Sequence, residues 1–259
     1  MNMPETTVPI TENEAVKNII MLLQGKGTEQ EKQDIESLVS HIESMETQFA
    51  KVFDELQDVK SQLKAIEDKS VRAAVQRIVD NVELKVNDVK DQFVSLKDSV
   101  VNSFSDAAEA IKQKGVSALR KTVDFLKIHT ALSHLKNKLN QSVHSLNQGA
   151  EQIQTIKNEL YTAKEHFTNA THLAVGKSTK EVSPNNSECG VLTKIQRLML
   201  KAGGLLKGMS KTADSAISKL EKLEQKDEKM SVRDSLKDIK RSRSNTHSTT
   251  EKVSPDKTR

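Results

Sequence analysis

Aromatic side chains are nearly missing from this chain: 3% of 259 residues, with no Trp and one Tyr, Tyr161. Aromatic groups bring the largest burial per residue, so a thick core is excluded, whereas thin seams between long helices need fewer large apolar groups. Glycine and proline together number only 13, leaving few breaks in the chain. Hydrophobic residues reach 35% and charged residues 29%, the balance of a long-helix or coiled-coil protein. A single cysteine, Cys189, rules out an intramolecular disulfide and fits a reducing compartment. No run of 18 apolar residues exists, so no transmembrane helix is expected. The opening "MNMPETTVPITENE" is acidic and lacks an apolar core, so no signal peptide is expected and the expected location is cytoplasmic.

What charge there is has a place. Residues 240 to 259 carry six basic and two acidic residues, which is the whole formal charge of +4. The chain is therefore a neutral body with a basic tail. Within the body the sign changes by segment. Residues 28–68 hold eleven acidic and four basic residues, 111–140 hold seven basic and one acidic, and 190–222 hold seven basic and two acidic. Any one run reads as a solvated helix face, but opposite runs in one chain invite pairing within it or between copies.

The strongest pattern is a ladder: Ile35, Leu38, Ile42, Met45, Phe49, Val52, Leu56, Val59, Leu63 and Ile66. Its steps alternate three and four for nearly five heptads, which predicts a helix with one apolar seam. It stops at "EDKS", which reads either as a phase slip within one helix or as a tight helix–helix turn with Ser70 as N-cap, the turn being the preferred reading. A second edge, through Ile78, Val82, Val86, Val89, Phe93, Leu96, Val100 and Phe104, contains consecutive steps of four and reads as closer to an eleven-residue repeat. A third reads Leu132, Leu135, Leu139, Val143, Leu146, Ala150, Ile153, Leu160, Phe167 and Ala170, and a last one Val191, Ile195, Leu198, Ala202, Leu205, Met209, Ala213, Ala216, Leu220 and Leu223. Thr11 with Glu14, and Thr28 with Glu31, have capping-box spacing. The expected organisation is a disordered N-terminus (1–10), a short helix and turn (11–27), a long-helix coiled-coil region (28–175), a linker (176–190), a C-terminal helical region (191–240) and a disordered basic tail (241–259).

The stretch "ENEAVKNIIMLLQGKGTEQEKQDIESLVSHIESMETQFAKVFDELQDVKSQL" (12–63) resembles an uncharacterised family of helical proteins from gut Firmicutes, often encoded on integrative and conjugative elements. "FLKIHTALSHLKNKL" (125–139) is similar to the middle region of that family. The likeness spans roughly residues 12 to 225 and leaves the tail after 240 outside. It implies a bacterial cytoplasmic protein of an accessory gene set carried by a mobile element, and brings no functional residues with it.

Candidate chemistry is sparse. A zinc-protease helix needs two His four apart around a Glu, and a di-iron bundle needs Glu three residues before His. The positions three before His41, His129, His134, His144, His166, His172 and His247 are Leu38, Leu126, Ala131, Gln141, Ala163, Asn169 and Ser244. Surface histidines are the better reading, and no metal or cofactor is expected. "GGLLKGMS" (203–210) has Met209 where a phosphate loop needs Lys, so a kink or a close helix crossing through Gly204 and Gly208 is expected instead. Nothing local would activate Cys189 as a nucleophile.

The sequence therefore predicts an all-α, elongated antiparallel long-helix bundle or coiled coil with a disordered basic tail. The expected function is non-enzymatic: a structural or adaptor protein acting through helix–helix association with itself or another helical protein, with no small-molecule substrate. The ten ladder residues are the expected packing seam, and that seam is expected to lie mainly on residues 71–111. An alternative is non-specific nucleic-acid association through the 111–140 patch and the tail residues Lys240, Arg241 and Arg243, where no aromatic is present to stack on bases. A third is peripheral membrane binding through residues 191–209.

Overall fold

In a computed structural model of the chain, residues 9–24, 28–115, 125–179 and 190–246 are described, with side chains of the last helix described to residue 221. A 3-10 turn, Ile10–Glu12, leads into α1 (Glu14–Leu23). Four long helices follow: α2 (Glu29–Lys64), α3 (Lys69–Lys114), α4 (Phe125–Ala174) and α5 (Val191–Thr246). No strand occurs among the described residues, so the architecture is all-α.

The helix boundaries follow local chemistry. Asn13, not Thr11, caps α1, its side chain accepting from the Ala15 amide at 2.9 Å. Thr28 precedes α2 without a side-chain cap; its hydroxyl donates instead to the Leu23 carbonyl at 2.8 Å and closes the α1–α2 corner. The break at "EDKS" is a turn, and its cap is Asp68 rather than Ser70. The Asp68 carboxylate accepts from the Ser70 and Val71 amides at 2.8 and 3.0 Å, and a carboxylate at a helix N-terminus also meets the positive end of the backbone dipole. Arg72 ties the turn by donating from Nε to the Ile66 carbonyl at 2.7 Å. Gly115 ends α3 with φ of 80°, which disfavours a residue carrying Cβ. At the N-terminus Ile10 is fully buried, so ordered packing begins inside the 1–10 segment expected to be disordered. At the other end α5 runs to Thr246, past the expected boundary at 240. The linker expectation falls largely on residues 180–189, and most of the tail on 247–259; both lie outside the described residues.

The four long helices form a ring in the order α2, α5, α4, α3, every neighbour antiparallel. Facing pairs give the registers. Glu46 meets Lys97 and Lys60 meets Glu83 across α2–α3. Lys138 meets Asp88 across α3–α4. His129 faces Glu221 and Lys136 faces Asp214 across α4–α5. Glu55 meets Lys201 and Asp34 meets Lys219 across α5–α2. α1 lies mainly on α3 and buries Val16, Ile19 and Leu23.

All four helices keep one period. The buried row of α3 is Val75, Val79, Val82, Val86, Val89, Phe93, Leu96, Val100, Ser103 and Ala107, alternating four and three. The eleven-residue reading took Ile78 for Val79 and Phe104 for Ser103. Ile78 is only partly buried, and Phe104, although buried, lies beside the row. The α5 row runs Ile195, Met199, Ala202, Leu206, Met209, Ala213, Ala216 and Leu220 with the same alternation. A shared 3.5-residue period keeps each seam facing inward as helices wrap gently around one another.

Ile42 is fully buried in this core. Ile42→Asp places a lone carboxylate among apolar groups and is expected to cost about 4 kcal/mol or more, which for a marginally stable chain means loss of the fold. Urea unfolding followed by circular dichroism checks it, and a wild-type midpoint would contradict the packing described.

Candidate helix-association surface

All ten ladder residues, Ile35, Leu38, Ile42, Met45, Phe49, Val52, Leu56, Val59, Leu63 and Ile66, are buried within the single chain. Their main neighbour is α5, not residues 71–111. The reason is side-chain size. Between α2 and α3 stand Phe49 and Phe93, ring centroids 6.1 Å apart, with Phe53 edge-on to Phe49 at 4.9 Å, and these rings hold the two backbones apart. The α5 helix presents Ala202, Gly203, Gly208, Ala213 and Ala216 instead, and small residues let backbones come close. A Cβ on Gly208 would stand 2.6 Å from Gln48 Oε1 on α2, and one on Gly203 would stand 3.6 Å from Leu146 Cβ on α4. Of the close crossing expected through Gly204 and Gly208, only Gly208 comes that near its neighbour; a Cβ on Gly203 would make ordinary contact, and Gly204 faces open space. Gly149 of α4 answers from the other side, its hypothetical Cβ 3.0 Å from Ile78 Cγ2.

The charge segments meet across these seams. Asp34 and Glu55 are 3% and 7% exposed, and each carboxylate finds a lysine of α5: Lys219 at 3.2 Å and Lys201 at 2.5 Å. Gln30 also donates to Asp34, at 3.3 Å. The hydrogen bond and charge of Glu55 hold the Lys201 ammonium above the usual lysine range. A raised lysine contributes fully below its ordinary value of 10.5 and loses that contribution only as pH climbs past it, so this link is constant through neutral pH. The α4–α5 seam adds Lys136–Asp214 at 2.5 Å and a hydrogen bond from Ser210 to Asn140 at 2.8 Å.

These pairs bear on the other readings. Within the 111–140 patch, Lys136 and Lys138 face Asp214 and Asp88, while Arg120 and Lys121 lie outside the described residues. Lys240, Arg241 and Arg243 fall on the last turns of α5, where side chains are not described. The apolar side of 191–209 is turned into the bundle: Ile195, Met199, Ala202, Leu206 and Met209 are fully buried, so a membrane surface would meet Leu200 and lysines, and the membrane reading loses its apolar face. Among the described residues no helix is long and apolar enough to cross a membrane, and no His, Cys, Asp and Glu side chains group as metal ligands. Cys189 and His247 lie outside the described residues.

One helix outruns its partners. Extending the registers, α4 leaves α3 and α5 near residue 159, since α3 begins at Lys69 and α5 at Val191. Residues 160–174 continue as an arm about 22 Å long, closed by Gly176 with φ of 69° and by the Lys177 amide donating to the His172 carbonyl at 2.8 Å. Its heptad row does not change character at the edge of the bundle. Leu132, Leu139, Leu146 and Ile153 are fully buried, and the same row then gives Leu160 at 41% and Phe167 at 76% exposure. Leu173, beside it, is 67% exposed. The sequence showed Leu160 and Phe167 on the seam but could not mark them as exposed, because that depends on where the neighbouring helices end in space.

These residues define an antiparallel four-helix bundle with an overhanging arm. A family model described as a family of unknown function (DUF6674) matches residues 12–259, and the chain belongs to that family. The match takes in the tail after 240, which the resemblance had left outside. No curated protein and no solved structure matches the chain.

Two substitutions separate the close seams from the open ones. Gly203→Ala fits its space and gains helix propensity, so it is expected to raise stability by about 0.5–1 kcal/mol. Gly149→Leu overpacks the junction of Ile78, Val82 and Met199 and is expected to lower it by about 2–3 kcal/mol. Lys219→Met leaves Asp34 buried with only Gln30 as partner, at an expected cost of about 1–2 kcal/mol, discounted because Lys219 is itself partly exposed. Urea midpoints measure all three.

Proposed function

We propose that the protein is a non-enzymatic structural or adaptor protein that works by helix–helix association, with the bundle as its scaffold and the α4 arm as its contact. The observation that carries this reading is the uncovered continuation of the α4 seam at Leu160 and Phe167. The ladder on α2 is occupied inside the chain, so association needs a surface other than the one expected from sequence. The grooves between helices support the non-enzymatic part. One is lined by Ser40, His41, Ser44, Lys211, Thr212 and Ser215, and it is open to solvent. His41, Thr212 and Ser215 there already bond to carbonyls of their own helices, which leaves little chemistry for a substrate. The pairing of Lys136 and Lys138 weighs against nucleic acid as the main partner. A cytoplasmic setting, and carriage on a bacterial mobile element, are the context this reading adopts from the family resemblance.

A photo-crosslinking residue at position 167, in cells producing the full chain, tests it. The expected result is a protein adduct at 167, either the chain itself or another helical protein, that is absent when the same residue replaces the exposed Asp98 on α3. Equal labelling at both positions removes the arm as the contact.

A further inference from the structure

We infer that the α4 arm is a two-fold contact between two copies of this chain, the arms lying antiparallel along their exposed seams. The inference deepens the helix-association reading and rests on it. The first support is continuity. The row that closes the bundle through Ile153 is the row that carries Leu160 and Phe167 outward, so the arm presents a half-built seam of the kind already completed inside the chain.

The second support is fit to itself. In the arm the two heptad positions differ in size: Leu160, Phe167 and Ala174 on one row, Ala163 and Ala170 on the other. Antiparallel helices set one row against the other. Phe167 then lies over Ala170 of the second copy, and Ala174 over its Ala163. Phe167, the largest exposed group of the row, meets a small residue, as in the α4–α5 seam where Leu146 faces Gly203. The two-fold axis repeats every contact, which makes the patch self-complementary.

Third, charge and geometry permit it. Residues 157–177 hold Lys157, Lys164 and Lys177 against Glu159 and Glu165, a nearly neutral strip that does not repel its copy. Antiparallel arms also place the two bundles at opposite ends, clear of each other. The chain's own return segment, residues 175–190, offers only Val175, Val182 and Cys189 as apolar side chains, and Phe167 stays 76% exposed in the folded chain. The contact is small, below the roughly 1,200 Å² of standard interfaces, so the pairing is weak and concentration-dependent.

Sedimentation equilibrium on the full chain over a hundredfold concentration range is the test. The expected result is a weight-average mass rising from 28.8 kDa toward twice that value, with the rise abolished in Phe167→Glu while circular dichroism and the melting midpoint stay unchanged. The orientation is read by mixing Phe167→Cys with Ala170→Cys, both carrying Cys189→Ser, under mild oxidation. A disulfide dimer that forms in the mixture faster than in either variant alone supports the antiparallel register. A constant monomer mass, or a dimer that survives Phe167→Glu, overturns the inference. If the mass stays monomeric while position 167 still crosslinks to a different protein, self-pairing is wrong and the association reading stands. If neither occurs, both fail.

Discussion

Everything in this molecule depends on four helices keeping the same 3.5-residue apolar period. With so few aromatic groups, no single cluster could hold the chain together, and the stabilising burial is spread along seams more than thirty residues long. A common period is what lets each seam remain closed over that length. Within that constraint, size sets the neighbours. Phenylalanines at 49 and 93 widen one interface, and Ala and Gly on α5 narrow two others. The last helix therefore sits deepest, in contact with both α2 and α4, although it follows the longest connection between described helices.

Charge then selects register. A heptad seam alone tolerates sliding by seven residues, since the apolar rows look alike after each repeat. Asp34 and Glu55 on α2 are fixed points: a seven-residue slip in either direction leaves one of them without a lysine, setting Glu55 opposite Gly208 or Asp34 opposite Thr212. Such an unpaired buried charge costs far more than the pair contributes, so the salt bridges act mainly by penalising wrong alignments.

Much of the fold was legible because periodicity survives in sequence. The all-α class and the ladder from Ile35 to Ile66 follow from spacing alone, whereas "EDKS" fitted a turn and a phase slip equally well in spacing, and the Asp68 cap decides for the turn. What could not be read was which seam faces which, because that is decided by volumes on helices far apart in the chain. The α3 row was misjudged for a related reason: Ile78 and Val79 are adjacent and both apolar, and only packing decides between them. Ser103, inside a buried row, was invisible to a search for apolar residues. Two caps went astray by two residues because Asn13 and Asp68 compete with neighbouring Thr11 and Ser70 for the same role. The arm at 160–174 was hidden most completely, because its sequence pattern is the same as that of the buried part of its helix.

The position of α5 also sets an order of events during synthesis. It is the strand of the ring that joins α2 to α4, and it leaves the ribosome after both. Until residues 191–221 emerge, α2 and α4 lack the helix on which both pack, and Asp34 and Glu55 lack the lysines that pair with them. The closed core is available only once the basic final helix is present, in the last stretch of translation.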